Sequence, residues 1–205
     1  MLRGPAFRAI ALALLLAATA GGCSILQPQP DRTRYYVLAA LAPPPAVFDR
    51  DLRIGIGPLI LPDYLARYQM VRRKGLTELR YSDINRWAET LGEGTARTLV
   101  ENVAMLVGTK RVMVLPAPIR GEPDVTVPIE IIRFEPDPDG DVNLVARWVV
   151  RVTEGDGRPG EVRLSQIVVR PEGSNWKARS EAMSRALLDL SREISAVIVE
   201  ATARP

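Results

Sequence analysis

The stretch VTVPIEIIRFEPDPDGDVNLVARWVVRV, Val125–Val152, decides the fold class. Val125, Val127, Ile129 and Ile131 fall on every second position, and Val142, Leu144, Ala146, Trp148, Val150 and Val152 repeat the pattern further on. A period of two gives each segment one apolar face, which is the pattern of a half-buried β-strand. Pro136-Asp137-Pro138-Asp139-Gly140 stands between them, and those residue types reverse a chain. The region therefore predicts a long antiparallel hairpin. Pro128 cannot donate to a ladder, which predicts an edge position for the first strand. After the turn residues Gly155–Gly160, Val162–Val169 predicts a third strand.

Downstream, an amphipathic helix is expected from about Asn175, with Trp176, Met183, Leu187, Leu190, Ile194 and Val197 as its apolar stripe and Arg, Glu and Ser elsewhere. Upstream, Arg34–Ala39 predicts a strand, and the Pro43-Pro44-Pro45 run makes Leu41–Arg50 a loop. Leu52–Leu61 predicts a strand ended by Pro62, followed by a turn at Asp63-Tyr64-Leu65. Tyr68–Lys74 and Leu76–Tyr81 predict a hairpin. Asp83 is the expected cap of a helix reaching Val107, on the spacing of Ile84, Trp87, Leu91, Leu99, Val103 and Leu106, with Gly108 closing it. A short strand, Arg111–Leu115, follows. The order predicts one α+β domain over residues 33–205: two layers, a mixed, mainly antiparallel sheet with two amphipathic helices on one face.

The N-terminus reads differently. Arg3 and Arg8 precede an apolar run, Ala9–Ala18, and Ala20-Gly21-Gly22 leads into Cys23. A positive segment, a short apolar run and small residues before a cleavage point make a secretory signal, and the run is too short to span a bilayer. Cys23 is the sole cysteine of the 205 residues. Exported chains normally carry cysteines in pairs. Ala-Gly-Gly-Cys fits a bacterial lipobox, so residues 1–22 are expected to be a lipoprotein signal peptide and Cys23 the lipidated N-terminus. Ser24, in place of Asp, favours the outer membrane. Residues 23–32 form a polar, Pro-containing tether.

Without residues 1–22 the chain has 25 basic and 24 acidic residues, which is no footprint for nucleic acid. The sequence contains no histidine, which removes His-based triads, His general bases and the commonest zinc ligand. Gly55-Ile56-Gly57 is followed by Pro58 and opens no helix, so it reads as a closely packed strand and not as a dinucleotide fingerprint. Asp137, Asp139 and Asp141 alternate like a calcium loop but lack its later Glu, and a solvated hairpin turn is the better reading. No catalytic, cofactor-binding or metal-ligating residue is expected, and the chain is read as no enzyme. Trp87 and Trp148 fall on apolar stripes and are expected in the core. Tyr35 and Tyr36, adjacent on a strand, point to opposite faces, one to the core. Tyr64 and Leu65 are candidates for a partner contact, and equally for stapling their loop to the sheet.

One further reading comes from a set of motifs. These are Arg34-Tyr35-Tyr36-Val37-Leu38, Ile54-Gly55-Ile56-Gly57-Pro58 running into Leu61-Pro62-Asp63-Tyr64-Leu65, Arg86-Trp87-Ala88-Glu89, Ala146-Arg147-Trp148, and Ala182-Met183 with Leu190-Ser191. In this order the chain resembles the PqiC (YmbA-like) family of ABC-type transport auxiliary lipoproteins. The resemblance implies a non-enzymatic outer-membrane-anchored lipoprotein facing the periplasm. Its implied partners are an MCE-domain protein and the ABC transporter of one intermembrane lipid transport system, and a homo-oligomer is compatible with that role. The alternative is a structural or assembly lipoprotein of another envelope machine.

Overall fold

The computed structural model describes residues 30–45, 47–116, 122–153 and 160–203. Thr33 to Pro205 form one compact unit. Its strands are β1 (Arg34–Tyr36), β2 (Ile54–Ile60), β3 (Gln69–Arg73), β4 (Leu79–Trp87), β5 (Val112–Val114), β6 (Val125–Pro136), β7 (Val142–Trp148), β8 (Arg151–Val152) and β9 (Arg163–Val169). Its helices are α1 (Leu91–Val107) and α2 (Trp176–Thr202). The fold is the expected α+β arrangement, with the strands divided between two sheets. The smaller sheet has the order β1-β4-β3, and the larger runs β5-β2-β6-β7-β9 with β8 beside β6. β2 lies parallel to both β5 and β6, whereas β6-β7 and β7-β9 are antiparallel.

The predicted hairpin is the centre of the large sheet. Ile129, Ile131, Phe134, Leu144, Ala146 and Trp148 all bury their side chains. α2 packs on β6, β7 and β9, and α1 packs on β2, β5 and α2. Alternation alone would not carry Phe134 inward from Ile131. A bulge between Ile131 and Arg133 turns two successive residues, Ile132 and Arg133, away from the helices and resets the period.

Pro128 is not at an edge, as its missing N–H had suggested. It lies inside β6, where the pairing with β2 shifts register between Ile56 and Leu59. On the other side β7 ends at Trp148 and β8 begins at Arg151, so the ladder is interrupted there too. A proline is tolerated in a sheet interior at such an irregularity, because no partner requires its N–H.

The first helix also begins later than expected. Ile84 and Trp87 belong to β4, which runs on from the hairpin, and the cap is Thr90 instead of Asp83. Thr90 accepts a hydrogen bond from the Glu93 N–H, and the Glu93 carboxylate accepts from the Thr90 N–H, a reciprocal capping box. Gly92 and Gly94 thus fall in the first turn and not mid-helix. Gly94 has a use there, since a Cβ would stand 3.1 Å from the Glu89 carboxylate.

Helix α2 follows the expected stripe and buries more than it. Ser180, Ser184, Ser191 and Ser195, which lie off the apolar stripe, are also inside. Ser184 and Ser191 satisfy their hydroxyls by donating to carbonyls one turn back, at 3.0 and 2.7 Å. Ser184 also accepts from the Ala39 N–H at 3.1 Å, and Asn102 of α1 accepts from Leu41 and Ala42. The proline-rich loop after β1 is thereby held against both helices.

Candidate functional site

The two sheets meet at a carboxylate. Glu135, near the end of β6, is 0% exposed. The β6 bulge places it on the sheet face opposite the helices, where the turn at Asp63–Leu65 and strand β3 cover it. Tyr64 Oη donates to its Oε2 at 2.9 Å, and Arg73 Nε to its Oε1 at 2.5 Å. Arg133 Nε adds a third bond at 3.1 Å, and the Phe134 N–H a fourth at 3.0 Å. A charge this deep persists only when paired and fully hydrogen-bonded, which is the case here. The Arg73 guanidinium lies over the Tyr64 ring, 5.9 Å from its centroid, and Tyr81 Oη donates to the Tyr64 carbonyl at 3.0 Å.

Of the two contact candidates from the sequence, Leu65 lies in the core at 2% exposure and Tyr64 is half-buried. Both staple the turn between β2 and β3. Glu135 carried no signal in the sequence as their partner, because the pair is 71 residues apart.

Burial, and after it the neighbouring Glu135 carboxylate, push the Tyr64 hydroxyl up to about 12. The neutral phenol is therefore favoured by the fold. Its contribution is complete below the ordinary tyrosine value, near pH 10, and is lost as pH rises towards 12. We expect the urea midpoint to fall between about pH 9 and about pH 11, and to fall less in Tyr64→Phe. Equal losses in both chains would remove Tyr64 as the cause.

The remaining sequence candidates are placed as follows. Trp87 and Trp148 are both core residues, and Trp148 Nε1 donates to Ser165 Oγ at 2.8 Å. Tyr36 packs against the core with its hydroxyl on Asn85, while Tyr35 is 64% exposed. A Cβ on Gly55 would come within 2.6 Å of the Leu115 side chain, which accounts for the small residues of β2. Asp137 Oδ1 accepts from the backbone N–H groups of Asp139, Gly140 and Asp141, so this carboxylate organises the hairpin turn. Among the described residues no group of three or more His, Cys, Asp or Glu could hold a metal. Cys23 and Ser24 lie outside the described residues.

On the face of the large sheet away from the helices, Ile60, Glu130, Arg147 and Leu164 line up across β2, β6, β7 and β9. Glu130 and Arg147 pair at 2.6 Å, and exposed Ile132, Val162 and Val168 lie nearby. This combination of apolar side chains and one ion pair suits protein contact.

Fold and site together define an α+β domain in which the deeply buried Glu135 carboxylate joins two sheets and the open sheet face is apolar in part. The family of the ABC-type transport auxiliary lipoprotein component matches residues 36–195, and the chain belongs to that family, the PqiC (YmbA-like) group. It is thus an auxiliary lipoprotein component of ABC-type transport. Among solved structures, the chain is similar to protein XCC0632 from Xanthomonas campestris, of the DUF330 family, with a TM-score of 0.69 at 15% identity. That match covers 83% of this chain and 97% of the other. An uncharacterized protein is similar with a TM-score of 0.64 at 18% identity, covering 81% and 98%. At these identities the likeness is one of fold. No curated protein matches the chain.

Proposed function

We propose that the protein is a non-enzymatic lipoprotein, held in the outer membrane by lipidated Cys23, that serves an MCE-type intermembrane lipid transport system. The observation that carries this reading is the family match over residues 36–195, taken with the lipobox that ends at Cys23. The lipid anchor fixes one end of the assembly, and the domain faces the periplasm to receive an MCE-domain protein. The open face of the large sheet, with Ile60 and Leu164 flanking the Glu130–Arg147 pair, supplies a contact area. Tyr64 and Leu65 contribute by fixing the adjoining turn, with the exposed part of Tyr64 available to the partner. Several copies of the chain around one partner are compatible with this role.

The test is recovery of the intact lipoprotein from membranes under mild detergent. An MCE-domain protein and components of an ABC transporter are expected with it. Their absence, with other envelope proteins recovered instead, would redirect the assignment to another envelope machine.

A further inference from the structure

The small sheet carries a feature that neither its packing nor the carboxylate cluster uses. Arg72 of β3 and Arg80 of β4 are directly opposite one another in the antiparallel ladder. Opposed residues project to the same face, so two guanidinium groups stand side by side, an arrangement that costs stability when nothing offsets it. They line a cavity of about 310 Å³ with Tyr81, Ser82, Ile84 and Trp176, the first residue of α2. A third guanidinium adjoins it. Arg179 lies over the Trp176 ring, 5.1 Å from the centroid, and its Nε is buried without a hydrogen-bond partner. Burial, then repulsion from Arg72, lower the Arg179 pKa. Arg179 also stands in the first turn of α2, where the positive end of the helix disfavours a cation.

Several arginines elsewhere are paired. Arg53 pairs with Asp124, Arg97 with Glu89 and Glu101, Arg111 with Asp51, and Arg147 with Glu130. Among the described residues Arg72, Arg80 and Arg179 have no such partner. Arg34, Arg50, Arg67, Arg86 and Arg151 form no ion pair among the described residues either, and what sets the present group apart is its shared location. Asp83, the one carboxylate on the cavity rim, is exposed and forms an ion pair with none of them. Two cations thus line a space of small-group size with an indole and an isoleucine on its wall, and a third lies over that indole, close enough to Arg72 to be repelled by it.

We propose that Arg72, Arg80 and Arg179 form a pocket for a phosphoryl group, with Trp176 and Ile84 receiving the apolar part of its carrier. Guanidinium forks match the oxygens of a phosphate, and each charge-assisted bond offsets part of the mutual repulsion. The carrier is a phospholipid, or the group is free phosphate. The apolar wall favours the lipid. So does chain length, since about ten residues separate Cys23 from β1, a reach of at most ~35 Å from a membrane anchor. The lipid source therefore rests on the anchored reading above, whereas the phosphoryl pocket stands without it.

The experiment titrates the intact lipoprotein in neutral detergent and follows tryptophan emission, using a Trp176→Phe chain as background. The probes are inorganic phosphate, a short-chain phosphatidylglycerol and an oligoglutamate peptide. Phosphatidylglycerol should give a saturable change that the Trp176→Phe chain lacks. Its affinity should be at least about tenfold weaker in an Arg72→Gln, Arg80→Gln double variant, which loses the charge-assisted bonds of two guanidinium groups. The thermal midpoint of that variant should equal or exceed the parent's, because repulsion is removed and no partner is lost. An equal response to inorganic phosphate also supports the pocket and assigns the free anion as its ligand. A response to oligoglutamate alone, unchanged affinity in the double variant, or silence towards both phosphorylated probes overturns the proposal. Recovery of an MCE-domain protein and these titrations fail independently of one another.

Discussion

Glu135→Ala is expected to lower the unfolding free energy by about 3 kcal/mol, measured by urea denaturation near neutral pH. The carboxylate is inaccessible to solvent, and its two oxygens take bonds from Tyr64, Arg73, Arg133 and the Phe134 N–H. Truncation does not merely delete one ion pair. It leaves a half-buried phenol and two guanidinium groups facing a space with no acceptor. The side chains of Arg73 and Arg133 keep 21% and 31% of their exposure, so water relieves them in part. That relief holds the expected loss below the upper range for a broken buried pair. Glu135→Gln keeps an acceptor for Tyr64 and loses the charge, so it should cost about 1–2 kcal/mol. A loss under about 0.5 kcal/mol in Glu135→Ala, the range of ordinary surface changes, would show that the cluster does not join the sheets.

Cys23→Ala should move the protein from the membrane fraction to the soluble fraction. The domain should stay folded, because the compact unit begins at Thr33 and all its described core lies within it. Acyl chains contribute roughly 0.8 kcal/mol per buried methylene, and stable anchoring needs more than one such chain or a second signal. The chain near Cys23 offers little else. Ser24 to Pro30 contains no basic residue, so no polybasic segment would retain the unlipidated form by attraction to anionic lipids. The prediction is checked by fractionating membranes from cells that express each form, together with circular dichroism of the purified variant. Unchanged membrane association would end the lipid-anchor reading, and full transport function in a soluble form would end the anchored mechanism built on it.

What could be read without coordinates was governed by local periodicity. The β6–β7 hairpin, its Asp137–Gly140 turn and the C-terminal helix are legible because one apolar residue in two, or one in three to four, reports the face turned to the core. The same rule misled at Ile84 and Trp87. Their spacing with Leu91 satisfies a helix, but the backbone at 79–87 pairs with β3 and β1, and the reciprocal Thr90–Glu93 cap starts the helix four residues after Trp87. The sequence contains that capping box, and it was the stronger signal. Pro128 misled for a different reason. A missing N–H excludes a regular interior position, but whether the neighbouring strands are irregular there depends on β2 and β8, far away in the chain.

The candidate site was legible only in part. Tyr64 and Leu65 stood out after the Pro62 that ends a strand, and the choice between staple and exposed contact stayed open. Glu135 settles where the Tyr64 hydroxyl goes, and no spacing rule could pair residues that far apart. The arginines of the small sheet are ordinary in sequence, where Arg72 and Arg80 look like two solvated charges. Their opposition exists only once the β3–β4 register is known.

Local sequence accounts for most of the element types, the α+β class, the near-neutral charge and, through the isolation of Cys23, the expected anchor. These depend on near neighbours and on composition. Tertiary structure alone decided that the strands divide into two sheets, that Pro128 sits in the interior of one, and that a buried carboxylate holds the two together. Each of those depends on which distant segments share a ladder. A strand carries the same backbone donors and acceptors whatever its partner, so the choice is made by packing and register and leaves no local trace.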